Sequence, residues 1–422
     1  MKRLLFALVM FCLPRAVLAA DDVDRSTAAV AHDRPEAADI RGIYVVGGVE
    51  SPLANDKAAA LAASLDLPGV DGLVLVVGWD DVEPTRGHYA WEQTDQNPLD
   101  QWMGMARSRG KKVELSIVAF RTPDWLFHGE VGFTPARKLI FTYPHRDADC
   151  SNPKTETIAA PWDQTFLSEW DKMLAAVAKH LKDTRAYDAI PILRLTGINL
   201  DSDELHLPSN GSAPAPCTDA VHTWLNDAHP SYRPFLLLHA WDAITSSFKK
   251  SFPDKDFSVA IIDSTHPFPP IDNNGNIIAD TRGLSPIQNQ PLLELARLKF
   301  PEHLVIQNNS LYPPDPAQAE TIAFAQSLGT LIAFQTNEDI DYVNTGLPNV
   351  VGKGASCGDR SDLATTPCTD GATFLKMLDT GIYPLGKDNR LRAQYIEVFA
   401  PNVNAFPHAT EQAHRELTIP RD

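Results

Sequence analysis

The chain has 422 residues, 44% of them hydrophobic and 22% charged, which excludes a disordered or fibrous protein and leaves apolar material for a large core. Its formal net charge of -17 repels phosphate backbones and anionic lipid heads, so nucleic acid is excluded as a partner. Beyond the first residues no segment is long and apolar enough to cross a bilayer.

Residues 1–19 read as a secretion signal: Lys2 and Arg3 form the basic start, Leu4 to Leu13 the apolar stretch, and Val17-Leu-Ala19 a small-residue cleavage site. Removing Lys2, Arg3 and Arg15 takes the mature charge to about -20. Residues 20–38 read as a polar, mobile leader, and 39–422 as a single domain. The expected location is periplasmic or secreted. The 33 prolines against 23 glycines predict stiff, ordered loops.

Apolar strand-like runs then alternate with helical patterns. The first strand is Gly42-Ile-Tyr-Val-Val46, followed by an alanine-rich helix over Leu53 to Leu65. The second is Gly72 to Val77, with a helix over Pro98 to Ser108, and the third is Lys112 to Ala119. A long loop is predicted from Phe120 to Trp162. The helix over Gln164 to Lys182 is the clearest in the chain, with Phe166, Trp170, Met173, Leu174, Val177 and Leu181 on one face. The fourth strand, Ile190 to Leu195, runs into a second long loop before a helix over Arg233 to Ser251. Strand five is Phe257 to Ile262, helix five Pro291 to Lys299 and strand six His303 to Gln307. Helix six, Asp315 to Leu328, begins with Asp-Pro and stops at Gly329. Strand seven is Thr330 to Phe334, helix seven Gly371 to Gly381 and strand eight Tyr395 to Phe399.

Eight strands separated by seven helical segments predict an α/β fold, a (β/α)₈ TIM barrel with long loops on its C-terminal face. A doubly wound open sheet is the alternative. Val46-Gly-Gly-Val49 is not the glycine-rich dinucleotide loop that such a sheet uses.

Four cysteines remain after the signal: Cys150, Cys217, Cys357 and Cys368. An even count in an exported protein points to disulfides, Cys357 with Cys368 across a short loop and Cys150 with Cys217 across two long ones. A Cys₄ metal site is the other reading, against which stands the absence of a tightly spaced pair. His88, His206, His222, His239 and His266 are scattered, and Asp272-Asn-Asn-Gly-Asn276 reads as a turn rather than a calcium loop, so no metal and no cofactor are expected. No G-x-S-x-G elbow is present for a serine hydrolase.

Two acid-bearing loops follow apolar strands: Ile192 to Asp203 leads to Glu204, and Leu331 to Asn337 leads to Glu338. In a (β/α)₈ barrel, chemistry sits where strands end. Glycosidic cleavage uses two carboxyls, one protonating the leaving oxygen and one attacking or activating water. Carboxylates at Asp201, Asp203 and Glu338 would favour a protonated Glu204 by like-charge repulsion. A solvated loop acid is the plain alternative for either glutamate. Trp79, Trp125 and Tyr312 follow strands two, three and six, where aromatic rings stack on sugars or simply pack. Asn199, Asn308, Gln335 and Asn337 are candidates for bonding sugar hydroxyls, or for capping their own loops. Glu397 alternates with Tyr395 and Phe399, which turns it into the barrel; an ion pair with Arg194 fits it better than a catalytic role.

Gly78-Trp-Asp-Asp-Val-Glu-Pro-Thr-Arg-Gly-His-Tyr-Ala-Trp91 resembles the W-x-x-x-E-P-x-x-G-x-Y-x-W/F run after strand two of clan-A glycoside hydrolases, including family 42 β-galactosidases. Leu99-Asp100, Gly110-Lys-Lys-Val113 and Thr122-Pro-Asp-Trp-Leu126 continue the likeness, which covers residues 40 to 130. The resemblance implies a barrel glycosidase acting on carbohydrate, with Glu204 as acid/base, Glu338 as nucleophile and Glu83 in the substrate site. One departure is plain: those enzymes place Asn before the acid/base, and here Asp203 stands there. A carbohydrate-binding protein without catalysis and a metal-dependent barrel hydrolase are the competing functions.

Overall fold

The computed structural model describes residues 39–47, 55–93, 97–145, 149–199, 202–205, 207, 217, 222–261, 290–311, 319–336, 372–387 and 391–419. The predicted signal and leader, Tyr312, Asn337, Glu338, Cys357 and Cys368 lie outside these residues.

Eight strands pair in parallel and close on themselves: β1 (Gly42–Gly47), β2 (Gly72–Gly78), β3 (Lys112–Val118), β6 (Ile192–Arg194), β7 (Asp256–Ile261), β8 (Leu304–Leu311), β9 (Leu331–Thr336) and β10 (Tyr395–Phe399). Pairing of β10 with β1, Tyr395 opposite Gly42 through Phe399 opposite Val46, seals the barrel. The predicted (β/α)₈ barrel is therefore the fold, and no strand is left as an edge of the sheet.

Because the barrel has an inside and an outside, β2 is apolar along its whole length and buried at every position. Alternation sorts its side chains into two cores. Leu73, Leu75 and Val77 join the large layer between sheet and helices. Val74 and Val76 join a smaller cluster with Tyr44, Val118, Ile192, Val305 and Tyr395.

The outer layer includes α1 (Asn55–Leu65), α4 (Pro98–Arg107), α5 (Gln164–Asp183), α6 (Pro234–Ser251), α7 (Gln290–Lys299), α8 (Ala319–Leu328) and α9 (Ala372–Ile382); α2 (Trp79–Val82) and α3 (Ala90–Gln93) are short turns after β2. The start of α5 is set by Asp163, whose side chain accepts from the amides of Thr165 and Phe166. The predicted apolar face of α5 is buried, and Trp170 meets Trp79 edge-on at 5.3 Å between ring centres.

The predicted loop from Phe120 to Trp162 instead contains an antiparallel hairpin, β4 (Lys138–His145) with β5 (Asp149–Ala159). Each strand carries a proline, and Pro144 lies opposite Pro153. Proline argues against a strand in a continuous sheet, but both strands of a two-stranded ribbon are edges that tolerate it. Leu139, Phe141 and Ile158 are buried, and Phe141 packs on Trp224 at 5.1 Å. Two further helices follow β10, namely α10 (Ala400–Ala405) and α11 (Pro407–Thr418). The buried residues of α11 are Ala409, Thr410, Ala413 and Leu417, a stripe of small side chains with Leu417 the one large apolar group in it.

Cys150 and Cys217 are joined, with Cα atoms 5.6 Å apart, and tie the hairpin to the segment between β6 and α6. The bridge closes a sequence separation of 67 residues. Replacing both cysteines by serine should lower stability by roughly 2–4 kcal/mol, because the unfolded chain regains the freedom of that loop. Denaturant unfolding of the paired variants measures it; an unchanged midpoint would show that the bridge constrains little in the unfolded chain. Among the described residues, no helix is long and apolar enough to cross a membrane.

Candidate active site

Glu204 sits where the chain leaves β6. That strand has three residues, and Gly197 turns the chain at φ +110°, a conformation that disfavours a side chain; a Cβ there would also stand 3.1 Å from Ile244. Asn199 closes the loop, accepting from the Gly197 amide at 3.2 Å and donating to the Ser202 carbonyl. The Leu205 amide then donates to the Ala260 carbonyl at 2.8 Å, returning the chain to β7. Glu204 is thereby held at the C-terminal end of the barrel with 7% of its surface exposed. Its Oε1 accepts from Asn309 Nδ2 at 2.8 Å, and its buried Oε2 has no hydrogen-bond partner among the described residues. A carboxyl with one oxygen anchored and the other uncommitted is suited to giving and taking a proton.

Below it lies a buried ionic network. Arg194 pairs with Glu114 of β3 at 3.1 Å, with Glu397 of β10 and with Asp203. Gln335 of β9 donates to the other Glu397 oxygen at 2.7 Å, and Ser258 of β7 donates to Glu114 at 2.6 Å. The Arg194–Glu397 pair expected from strand alternation is thus present, inside a larger cluster. One guanidinium faces three carboxylates, so the surplus negative charge is relieved by proton uptake. Burial raises Glu397 well above the usual carboxylate range; Arg194 opposes this and the Glu114 charge adds to it. Burial likewise pushes Asp203 up to about 6, with Arg194 opposing and Glu204 adding. Arg194 loses from burial, yet Asp203, Glu397 and Glu114 together hold its proton more tightly than usual.

The stability consequence has a definite sign. Asp203 binds its proton more tightly in the folded chain than at its ordinary 3.8, so its contribution is fully present below that pH and is lost as pH rises through about 6. Glu397, raised in the same direction, reinforces the trend at higher pH. Asp203→Asn should therefore flatten the fall in stability between about pH 4 and pH 6, measured by urea unfolding at each pH. An unchanged slope would assign the dependence to other groups.

The other expected contacts divide. Trp79 is fully buried, packed edge-on against Trp125, Phe166 and Trp170, so it builds the wall and offers no face to a sugar. Glu83 is also a wall residue: Oε2 accepts from Trp79 Nε1 at 2.9 Å and Oε1 from the Gly87 amide at 2.7 Å. Burial raises its proton affinity, against the effect of those two donors. Trp125 is half-buried and donates from Nε1 to the Glu83 carbonyl at 2.9 Å, fastening the two loops together. Asn199 is committed to its own loop, as above. Asn308 is paired in register with Ile261 and Phe334, residues of the outer core, so it faces the helix layer. Its neighbour Asn309 is the one that reaches Glu204. Gln335 does face the lumen, but its amide nitrogen is committed to Glu397.

Sequence reading missed Asn309, Gln307, Glu114, Ser258 and the structural use of Asp203. In β3 the signal was present, since Glu114 and Ser116 alternate with apolar residues and mark inward-facing sites; in β8 the run Gln307-Asn-Asn-Ser310 is polar on both faces and gives no such mark. Among the described residues, no group of three or more His, Cys, Asp or Glu side chains is arranged to hold a metal ion.

No family model and no curated protein matches the sequence. Solved structures with a similar chain path include an intracellular xylanase of Thermoanaerobacterium saccharolyticum, 14% identical, with 89% of this chain and 91% of that one covered at a TM-score of 0.44. A β-galactosidase of the psychrophile Marinomonas ef1 is 12% identical, covering 85% of this chain and 54% of that one at 0.46. An endo-1,4-β-xylanase of Caldicellulosiruptor owensensis is 11% identical, covering 85% of each chain at 0.44. At such identities and scores the fold rests on the strand pairing itself, and the site on its own chemistry.

Proposed function

We propose that the protein is an exported glycoside hydrolase that cleaves an oligo- or polysaccharide with two carboxyl groups and no cofactor. Glu204 is the acid/base and Glu338, two residues beyond the end of β9 in sequence, is the nucleophile. The observation that carries this reading is Glu204 itself: a buried carboxyl at the C-terminal end of a barrel, with Oε1 anchored and Oε2 unengaged among the described residues. Protonated, Oε2 delivers its proton to the leaving glycosidic oxygen as the second carboxylate attacks the anomeric carbon. Ionised, it activates the water that completes hydrolysis. Sugar contacts are assigned to Trp125, Tyr312 and Asn337. The test is reducing-sugar release by the purified mature protein across plant and bacterial polysaccharides. Release from one glycan class establishes the activity and its substrate. A protein that is protected against heat by a glycan yet releases nothing is instead a carbohydrate-binding barrel, and activity lost to chelator belongs to a metal hydrolase.

A further inference from the structure

Three hydrogen bonds run through the barrel to Glu204. Tyr395 of β10 donates its hydroxyl proton to Gln307 Oε1 at 2.7 Å. Gln307 Nε2 donates to Asn309 Oδ1 at 2.8 Å, and Asn309 Nδ2 donates to Glu204 Oε1 at 2.8 Å. The direction of this chain is fixed at its acid end, because an ionised carboxylate can only accept. Asn309 therefore turns its NH₂ to Glu204 and its oxygen to Gln307, and Gln307 turns its NH₂ to Asn309 and its oxygen to Tyr395, whose hydroxyl proton completes the chain. The other acceptor near the phenol, Glu114 Oε1, lies farther away at 3.3 Å and is already served by Ser258 at 2.6 Å. Gln307 and Tyr395 are fully buried and Asn309 nearly so, which shields the chain from water that would otherwise satisfy either amide orientation.

We propose that Asn309 is a positioning residue for Glu204, oriented through Gln307 by Tyr395, and that this relay decides which carboxyl oxygen carries the proton. An Oε1 that accepts an N–H cannot also hold the acid proton toward that donor, so the proton resides on Oε2, the oxygen with no partner among the described residues. The inference rests on the acid/base reading of Glu204. The charged groups of the surrounding network are Asp203 on the same loop, Arg194 on β6, Glu114 on β3 and Glu397 on β10. β7 and β8 present the neutral Ser258, Ala260, Gln307 and Asn309.

Removing the Asn309 donor withdraws a bond that is stronger to the ionised than to the protonated carboxyl. Asn309→Ala should move the Glu204 titration midpoint up by about one pH unit, read as the infrared carboxyl band lost on adding Glu204→Gln to each background. Tyr395→Phe keeps the ring and removes the orienting proton. It should move the midpoint in the same direction by less, and it carries the test if Asn309→Ala does not fold. On a polysaccharide that the wild type degrades, both variants should lower kcat, Asn309→Ala by about tenfold or more, with the basic limb of the pH profile displaced upward. A fall in Tm or kcat with the midpoint unmoved in both variants would reduce the relay to packing and overturn the proposal. Wild-type turnover that survives Glu204→Gln would instead remove the acid/base reading, and the infrared shift would still report whether Asn309 orients that carboxyl.

Discussion

Glu204→Gln should lower turnover of a degraded glycan by roughly 10²- to 10⁴-fold, the usual span for loss of a general acid/base. The substitution is nearly isosteric. The glutamine oxygen can keep the bond from Asn309 that Oε1 now accepts, so the barrel should retain its unfolding midpoint. What disappears is the exchangeable proton on the unpartnered oxygen. Reducing-sugar assays beside a thermal melt separate the two effects. Turnover equal to wild type would move the acid to a neighbour, first Asp203, which holds its proton up to about pH 6. A loss accompanied by a collapsed melt would say only that Glu204 supports the fold.

Arg194→Met should be the most destabilising single change in the lumen, by roughly 3–5 kcal/mol. Methionine fills much of the arginine stem volume but supplies no charge to Glu114, Glu397 and Asp203, all of which Arg194 contacts in a site where its own side chain is fully buried. The carboxylates can escape only by binding protons. The deficit should therefore be smaller at about pH 5 than at about pH 8, and adding Glu397→Gln should recover part of it by removing one orphaned charge. Urea unfolding of the single and double variants at both pH values tests this. A deficit that is small and the same at both would mean that water, not Arg194, balances these groups.

The eight barrel strands were legible because each is a short apolar run between helical or polar segments, and β2, buried on both faces, is nearly uninterrupted hydrophobic sequence. The α5 stripe was equally plain, since its large side chains recur at helical spacing. The hairpin escaped because Pro144 and Pro153 speak against strand, and only the pairing of the two segments makes them harmless edges. The last helices escaped because α11 buries two alanines and a threonine, with Leu417 as its one large apolar group.

Composition and spacing along the chain were enough for the barrel class and the net negative charge, since these depend on local periodicity and on residue type; the bridge between Cys150 and Cys217 was expected from an even cysteine count, and it was the fold that brought the two together. Which of two adjacent asparagines meets Glu204 was decided by strand register: one step along β8 turns a side chain from the helix layer to the lumen, so Asn309 and not Asn308 makes the contact. Trp79 and Glu83 went the other way, drawn into the wall by aromatic packing from α5 and by the turn at Gly87. The charge state of the lumen was likewise a tertiary matter. Glu114, Arg194, Asp203 and Glu397 are as far as 283 positions apart in sequence (397 − 114), and they share one buried site only because closing the barrel brings β3, β6 and β10 around it, where low dielectric makes each proton depend on the others.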